Sequence, residues 1–308
     1  MICDVCKSRE AVIYQPHTRR RLCSKCFTEN IVSRVKKEIE KYEMIKPNDR
    51  ILLAVSGGKD SFVLLDVLSR IHDPSRLIGL SIIEGIEGYN RAEYIDRLKK
   101  YARERGIDVV VTSFKEEVGA SLSELVEKAV KKSINVSPCT FCGTIRRRIM
   151  NMYARKLNVN KLATAHNLDD EAAVLLSNYV SANVELLARQ SPVLPRRDGM
   201  VSRIKPLFEV SERETALYAH IQGLSPISEE CPYAVNPSTL KFKEVINFLE
   251  EKWPAAKVSM VRGFLKRIKP HLTDEGWQEA LRRCAVCGYP TSSEVCAFCR
   301  LKEAYGPM

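Results

Sequence analysis

The middle of the chain alternates short aliphatic runs with longer segments in which apolar residues recur every three or four positions. The aliphatic runs are rich in β-branched residues, which predicts buried strands. They lie at residues 51–55, 77–83, 107–112, 161–165 and 202–207. The periodic segments predict helices at residues 61–71, 91–105, 121–132, 143–157 and 170–188. This alternation predicts an α/β fold, a doubly wound, mostly parallel sheet with helices on both faces.

The flanking regions follow other patterns. A polar helix is expected at residues 30–44, before the first strand of the alternating region. Beyond residue 207 the pattern becomes mostly helical, with helices expected at 211–222, 239–252, 257–268 and 274–282. Parallel sheets bind ligands at the carboxyl ends of their strands, where the strand order reverses. The residues that follow each strand are therefore the first candidates for function.

A glycine-rich loop follows the first strand of this region. Residues 51–55 lead directly into Ser56-Gly57-Gly58-Lys59-Asp60-Ser61, and an apolar helix comes next. The glycines allow close backbone approach to phosphate, the first N–H groups of the helix point at it, and Lys59 adds a full charge. The spacing is not that of a Walker A loop. It resembles the PP-loop of the ATP pyrophosphatases, which bind the pyrophosphate that leaves when AMP is transferred to a substrate.

Eight of the 11 cysteines form two sets near the ends of the chain. Each set contains two Cys-x-x-Cys pairs, 16 residues apart in the first set and 8 apart in the second. Such spacings are typical of tetrahedral Cys₄ zinc sites, which stabilise modules too small for a hydrophobic core. A redox role is the alternative. The predicted Zn²⁺ ligands are Cys3, Cys6, Cys23 and Cys26, and Cys284, Cys287, Cys296 and Cys299.

Three cysteines remain in the body of the chain: Cys139, Cys142 and Cys231. A structural zinc site normally takes four protein ligands, so three thiols suit an iron–sulfur cluster with one iron open to an exogenous sulfur. The same residues could instead act as a persulfide carrier and a resolving thiol. A third interpretation is that the three cysteines are only buried packing residues, but it does not explain why the Cys139–Cys142 pair directly precedes a basic helix. The residues themselves leave the two chemistries open.

An acidic turn, His166-Asn167-Leu168-Asp169-Asp170-Glu171, follows the strand at residues 161–165. It should therefore lie beside the phosphate loop at the carboxyl edge of the sheet. We expect Asp169 to cap the next helix, and Asp60 and Asp170 to hold Mg²⁺ on the departing pyrophosphate. His166 is either an acid–base group or a structural histidine.

The charge of the chain favours a polyanionic partner. It has 49 Lys and Arg against 38 Asp and Glu, a formal charge of +11. Basic residues cluster at 19–21, 146–148, 196–197, 266–267 and 282–283, a pattern that favours RNA. The first residues lack a signal peptide pattern and no stretch is apolar enough to span a membrane, so we expect a cytoplasmic protein without a membrane partner.

These features predict four segments. Residues 1–28 would form an N-terminal zinc module and residues 29–210 a Rossmann-like PP-loop ATP pyrophosphatase domain. Residues 211–282 would be a helical extension that completes the catalytic domain, and residues 283–308 a C-terminal zinc ribbon.

The loop, the body cysteines, the acidic turn and both terminal modules together resemble the TtuA/Ncs6 family of tRNA 2-thiouridine synthetases. The resemblance spans essentially the whole chain. It implies that ATP adenylates O2 of a tRNA uridine, that sulfur displaces AMP, and that a 4Fe-4S cluster on Cys139, Cys142 and Cys231 carries the sulfur. Catalytic roles are implied for Cys139, Cys231, Arg146 and Asp170. The implied ATP site comprises Ala54, Ser56, Gly57, Gly58, Lys59, Asp60, Ser61, Ile82, Ala165 and Asp170.

The resemblance also implies partners and a target. The sulfur donor would be the C-terminal thiocarboxylate of a ubiquitin-like carrier protein, and the enzyme would be a homodimer. The residues after His166 and the segment at 191–195 look more like the TtuA branch, which acts on the T-loop uridine at tRNA position 54, than like the branch that acts on the wobble uridine at position 34.

Two residues depart from the family pattern. Ala165 replaces the usual glycine before His166, which narrows the approach to the nucleotide. Arg146 stands where the family often has a catalytic lysine; it keeps the charge but cannot lose its proton, so it would act as an electrostatic clamp. Two other classes compete: a non-catalytic zinc-finger RNA binder, and a lysidine-type or amide-forming ligase, which has no use for three body cysteines.

Overall fold

The computed structural model describes residues 1–89, 92–134, 137–197, 199–224, 231–233, 238–273 and 281–305. Its strands are β1 (Ile13–Gln15), β2 (Arg20–Leu22), β3 (Ile51–Ala54), β4 (Leu77–Ile83), β5 (Asp108–Ser113), β6 (Lys161–Ala163), β7 (Val193–Leu194), β8 (Ser202–Ile204), β9 (Arg282–Arg283) and β10 (Pro290–Thr291). Its helices are α1 (Ser24–Lys41), α2 (Lys59–Ile71), α3 (Ala92–Arg103), α4 (Phe114–Val118), α5 (Leu122–Lys131), α6 (Pro138–Lys156), α7 (Leu168–Val180), α8 (Val184–Arg189), α9 (Glu212–Ile221), α10 (Ser238–Lys252), α11 (Ala256–Gly263) and α12 (Ala297–Tyr305).

The central sheet has the strand order β5-β4-β3-β6-β8-β7 among the described residues. All neighbours pair in parallel except the short edge strand β7, which runs antiparallel to β8. The predicted doubly wound, mostly parallel sheet is therefore confirmed. The chain moves outward from β3 through β4 to β5 and then returns to β6 on the other side of β3. The order reverses at this point, so the carboxyl ends of β3 and β6 border the crevice where ligands bind.

Two flanking hairpins belong to the terminal cysteine sets. β1 pairs with β2, and β9 pairs with β10, each antiparallel and outside the central sheet. The alternation of residues did not reveal these strands, nor β7, because two or three residues are too few for a periodic pattern.

Several predicted helix boundaries were wrong, for local reasons. α6 begins at Pro138 and not at residue 143, because the Ser137 side chain accepts a hydrogen bond from the N–H of Thr140 at 3.3 Å and proline is tolerated in a first turn. The single helix expected at 170–188 is divided into α7 and α8. Ala182 between them has a φ of 50°, and the Asn183 side chain caps α8.

The helical region after the sheet also differs in detail. The helix expected at 257–268 is α helical only to Gly263, after which residues 264–268 form a π-helical turn and residues 269–271 a 3₁₀ turn. Most of the helix expected at 274–282 lies outside the described residues. No described helix is long and apolar enough to cross a membrane.

The sheet separates two hydrophobic clusters. One contains the buried faces of α1, α2 and α9 and continues to Cys3, Cys23 and Cys26 of the N-terminal set. The other lies under α5 and α6 and is contacted by Phe298 and Leu301 of α12. Each terminal cysteine set is thus packed against one face of the α/β core. The division into four segments stays a prediction.

Candidate functional site

The phosphate loop joins β3 to α2 in a conformation that its glycines permit. Gly57 has a φ of 87°, in the left-handed region, and Gly58 is the residue before the first turn of α2. The N–H of Gly57 donates to Ser61 Oγ at 3.2 Å, and Ser61 Oγ donates to the carbonyl of Gly58 at 2.7 Å. The loop is thereby held against a 13-residue helix whose N-terminus favours an anion.

A cavity of about 390 Å³ opens beside this loop, at the carboxyl ends of β3 and β6. Seven of the ten residues predicted for the ATP site line it: Ala54, Ser56, Gly58, Asp60, Ser61, Ala165 and Asp170. Gly57 and Lys59 belong to the same loop, whereas Ile82 on β4 is not part of the lining. The remaining lining residues are Gly143, Arg146, Arg147, Met150, Thr164, His166 and Arg203. We call this space the nucleotide cavity.

A chain of alternating charges crosses the loop side of the nucleotide cavity. Lys59 Nζ lies 3.0 Å from Asp60 and 2.8 Å from Glu212. Lys243 Nζ lies 3.1 Å from the same Glu212 and 2.6 Å from Asp170. Thr215 adds a hydrogen bond of 2.5 Å to Asp60. Both carboxylates predicted to hold Mg²⁺ are therefore neutralised by lysines in this state, and a cation would have to replace an ammonium group.

Glu212 and Lys243 were not identified from the sequence. Burial disfavours the ionised form of Glu212, but Lys59 and Lys243 outweigh it and lower its pKa to about 2. The pKa of Lys243 is raised, because Asp170 and Glu212 outweigh the opposing effect of burial. These residues lie on α9 and α10, far along the chain from the loop, and neither helix carries a motif that marks it as part of a site.

The acidic turn before α7 differs from the expected arrangement. Asn167, not Asp169, is the N-cap: its side chain accepts from the N–H of Asp170 at 3.1 Å, and the Asp170 carboxylate accepts from the N–H of Asn167 at 3.0 Å. Asp169 is buried and bonds Lys257 at 2.5 Å and the N–H of Glu212 at 2.8 Å. Asp169 therefore ties α7 to α9 and α11, because its position within the first turn points it inward.

His166 lines the nucleotide cavity and its ring is held in place. Its Nδ1 lies 2.9 Å from Thr164 Oγ1. Burial, followed by the charge of Lys205, lowers the pKa of His166. The imidazole is thus neutral at neutral pH.

The body cysteines lie around the start of α6, and none of the three is among the residues that line the nucleotide cavity. Cys139 and Cys142 occupy the first turns of α6, where Cys139 is exposed and Cys142 is half-buried. Cys231 is also half-buried, and Tyr233 beside it donates to Ser123 Oγ of α5 at 3.0 Å. Cys139 Sγ lies 3.8 Å from the carbonyl oxygen of Tyr233. The structure therefore brings the segment of Cys231 against the start of α6.

Arg146 connects the cysteine region to the nucleotide cavity. It lines the cavity, and its Nε lies 3.5 Å from a carboxylate oxygen of Glu84, which is buried. Burial raises the pKa of Cys142 to about 11, while the neighbouring Arg146 acts in the opposite direction. Arg146 thus stands between the thiol of Cys142 and the space for the nucleotide.

The two terminal cysteine sets have the geometry of tetrahedral metal sites. In each set the four Sγ atoms all lie within 4.8 Å of one another. Cys6 and Cys23 are 3.8 Å apart, as are Cys287 and Cys296. A Zn–S bond of about 2.3 Å gives tetrahedron edges of about 3.8 Å, so both donor sets fit zinc. The three body cysteines form no such compact group, since their sulfurs do not all lie within 4.8 Å of one another.

Backbone donors support these sets. The N–H of Cys296 donates to Cys284 Sγ at 3.3 Å, which lowers the pKa of Cys284 to about 6. Burial and the neighbouring thiols instead raise the pKa of Cys26 to about 12. Three of the four thiols in each set are buried, and four thiols at this distance ionise together only with a cation between them.

Comparison with known proteins agrees with this geometry. Residues 27–231 match the PP-loop domain family, and residues 2–28 match the N-terminal LIM domain of the 2-thiouridine synthetase TtuA. The chain is 39% identical to a tRNA-5-methyluridine(54) 2-sulfurtransferase of Thermus thermophilus over 304 residues, 99% of this chain and 92% of that protein. It is 33% identical to the cytoplasmic tRNA 2-thiolation protein 1 of Chlamydomonas reinhardtii, covering 98% and 84%.

One solved structure resembles the whole chain. It is the U34-tRNA thiolase NcsA from Methanococcus maripaludis with its [4Fe-4S] cluster, at 31% identity and a TM-score of 0.83. The similarity covers 100% of this chain and 97% of the other. The likeness therefore extends beyond the α/β core to both terminal cysteine sets.

Proposed function

The chain belongs to the PP-loop family that includes the TtuA 2-thiouridine synthetases, and we propose that it is an ATP-dependent tRNA-uridine 2-sulfurtransferase. One observation carries the proposal. The phosphate loop and the cysteine-bearing helix α6 form two sides of one cavity, with Arg146 between them. Activation of a substrate by ATP and delivery of sulfur to it can therefore occur at the same place.

The loop side would carry out adenylation. The uridine O2 attacks the α-phosphorus of ATP, the bond to the bridging oxygen breaks, and pyrophosphate leaves. The N-terminus of α2 and Lys59 would bind the pyrophosphate. Asp60 and Asp170 would hold Mg²⁺, which would neutralise charge on the leaving group, once Lys59 and Lys243 have moved to the phosphates. Sulfur then bonds to C2 and AMP leaves with the former O2, so the uridine gains one sulfur and loses one oxygen.

The α6 side would supply the sulfur. The three thiols of Cys139, Cys142 and Cys231 are too far apart to share one zinc ion, yet the fold brings their segments together, which fits a larger group. Cys139, Cys142 and Cys231 would hold a 4Fe-4S cluster, which would supply an iron able to bind an exogenous sulfur. Arg146 keeps its proton and stabilises the negative charge that develops when the C2 oxygen departs with AMP.

We favour 5-methyluridine at position 54 as the target, because the Thermus thermophilus relative and similar proteins of Pyrococcus horikoshii and Thermotoga maritima bear that activity in their names. The wobble uridine at position 34 is the second candidate, since the NcsA neighbour is named for it. The sulfur donor would be a ubiquitin-like protein with a C-terminal thiocarboxylate, the active form a homodimer, and the compartment the cytoplasm.

Both terminal cysteine sets would hold Zn²⁺ for structural reasons. The N-terminal set continues the core through Phe27 and Ile31 of α1, which are fully buried. We retain the four predicted segments on this basis, with residues 1–28 and 283–308 as metal-stabilised modules around the catalytic region.

Nucleoside mass spectrometry of tRNA tests the proposal. Anaerobically purified protein, incubated with ATP, a sulfide source and unmodified tRNA, should add one sulfur to a single uridine, whose position is mapped by digestion. The Cys139→Ala variant should lose this product and the broad visible absorbance of the cluster, whereas Thr140→Ala on the same turn should keep both. A colourless protein that thiolates tRNA would refute the cluster and support the persulfide route. A product without sulfur would refute the proposed function itself.

A further inference from the structure

A second cavity of about 290 Å³ lies directly beside the nucleotide cavity. Arg147 and Arg203 line both spaces, so the two cavities share a wall. The far side of the second cavity is formed by the C-terminal module, including Tyr289 and Phe298. Its described lining includes Arg147, Arg148, Arg197 and Arg203 and contains no carboxylate, in contrast to the nucleotide cavity with its Asp60 and Asp170.

The two shared arginines have no acidic partner in the part of the chain that the structure describes. No salt bridge within 4.0 Å joins Arg147 or Arg203 to a carboxylate of the described residues. Burial lowers the pKa of both groups, and the charge of Arg147 contributes further to the lowered pKa of Arg203. A desolvated cation next to another cation raises the energy of the protein unless an anion joins them.

Both arginines lie on regular elements of the fold. Arg203 is on β8, which is paired with β6 on one side and β7 on the other. Arg147 lies along α6 over Gly143, where an added Cβ would be 3.2 Å from its Nη1. The absence of a side chain at Gly143 therefore leaves room for the close approach of this guanidinium.

The opposite wall is held by contacts with α6. The Tyr289 hydroxyl accepts a hydrogen bond from the Asn151 side chain at 2.9 Å. The Arg148 guanidinium lies over the rings of Tyr289 and Phe298, at 4.9 and 4.4 Å from their centroids. Arg148 is thus used in docking the C-terminal module to α6, which leaves Arg147 and Arg203 to face the cavity.

We propose that Arg147 and Arg203 bind a phosphodiester of the RNA substrate, adjacent to the uridine that enters the nucleotide cavity. This inference rests on the proposed function. The phosphates of ATP have their own site at the loop, where Lys59 and the start of α2 lie. The second cavity instead leads away from the nucleotide along the C-terminal module, as the backbone of a polymer must when one of its bases is inside.

The salt dependence of RNA binding tests this assignment. The affinity of the metal-replete protein for an unmodified tRNA transcript would be measured without ATP over a series of KCl concentrations. Each lost phosphate contact should reduce the slope of log K against log salt by about 1 and weaken binding about tenfold at low salt. Arg147→Ala and Arg203→Ala should each show this change, and Arg155→Ala, which removes an exposed arginine of the same helix, should not.

A third variant tests position and not charge. Gly143→Ala keeps both arginines and shifts the guanidinium of Arg147 by only a few tenths of an ångström, so it should weaken tRNA binding less than Arg147→Ala does and leave the salt slope near the wild-type value. Thermal unfolding of each variant would identify a folding defect. If Arg203→Ala does not fold, Arg147→Ala and Gly143→Ala still decide the matter.

Measurement of ATP binding by the same variants shows whether the arginines bind the nucleotide or the RNA phosphodiester. Arg147, Arg203 and Gly143 also line the nucleotide cavity, so ATP binding is compared with tRNA binding in each variant: the dissociation constant for ATP should rise by a smaller factor than that for tRNA, because the phosphates of ATP bind at the loop. If ATP binding weakens while the salt slope for tRNA stays at the wild-type value, the arginines serve the nucleotide and the proposal is wrong. If neither changes, the site is not an anion site and the proposal is equally wrong. If tRNA binding depends on Arg147 and Arg203 as proposed but the wild-type protein forms no thiouridine, the proposed function is refuted and the phosphate site is retained.

Discussion

The two sides of the nucleotide cavity differ in whether their charged side chains have partners of opposite sign. On the loop side, each charged residue of the network has a partner of opposite sign within 3.1 Å. The network consists of Lys59, Asp60, Asp170, Glu212 and Lys243. On the α6 side, Arg147 and Arg203 face the cavity without a carboxylate among the described residues. The loop side is thus a closed network that a bound ATP would have to rearrange. The α6 side is already arranged for an anion, so it needs no rearrangement to bind one.

The comparison implies different mutational behaviour. A residue of the loop network has two tasks, since it neutralises its neighbours in one state and contacts phosphate in the other. Its removal should therefore affect catalysis and also the pH dependence of stability. Arg147 and Arg203 have no carboxylate partner among the described residues, so their removal should affect ligands alone, whereas Arg146 on the same side is paired with Glu84.

The largest effect is expected for Lys59→Ala. The variant loses a full charge on the departing pyrophosphate, and tRNA-dependent pyrophosphate release should fall by a factor of about 10² to 10³. Lys37→Ala, which removes an exposed lysine of α1, is the matched control and should retain the wild-type rate. Release within about threefold of wild type in Lys59→Ala would show that the loop does not act on the leaving group.

Arg146 tests the α6 side next. If it acts through charge, Arg146→Met should lower the rate of sulfur incorporation about 10²-fold, whereas Arg146→Lys should retain most of the rate. Rates would be measured by nucleoside mass spectrometry as a function of pH. In the pH–rate profile of the wild type, no change in rate should come from ionisation of residue 146, because arginine stays protonated over the measured pH range. If Arg146→Lys shows a new pH dependence and a higher rate than wild type, proton transfer by residue 146 accelerates the reaction. The electrostatic clamp would then not fully describe the role of this position.

The smallest effect concerns Glu212 and stability. Its pKa in the folded protein, about 2, lies below the ordinary value of 4.5. A depressed carboxyl pKa stabilises the fold above about pH 4.5, and this contribution is lost as the pH falls towards 2. The side chain is 39% exposed, so solvent screening reduces the contribution to about 1 kcal/mol.

Glu212→Gln should therefore unfold about 1 kcal/mol more easily than wild type at pH 7, and the difference should shrink below pH 4. Urea unfolding of both proteins at each pH measures this directly, and acid effects on the metal modules cancel in the difference. A constant difference across the range would mean that Lys59 and Lys243 do not stabilise the ionised form.

Much of the fold was predictable because it depends on residues close in the chain. The strand, loop and helix at residues 51–71 are specified by an aliphatic run, two glycines and an apolar helix in immediate succession. The boundaries that were wrong depended on single capping residues. Ser137 extends α6 back over Cys139 and Cys142, and Asn167 takes the cap position expected for Asp169.

By itself, the sequence determined which chemical groups this protein has and how they are spaced. The phosphate loop, the division of the cysteines into four, three and four, and the basic clusters are all visible there, because each is a local pattern with a chemical meaning. Only the tertiary structure decided what surrounds them. Glu212 and Lys243 reach the loop from α9 and α10, and Arg203 reaches Arg147 from β8. Such contacts depend on how the sheet orders its strands and packs its helices, and no local pattern of residues encodes that order.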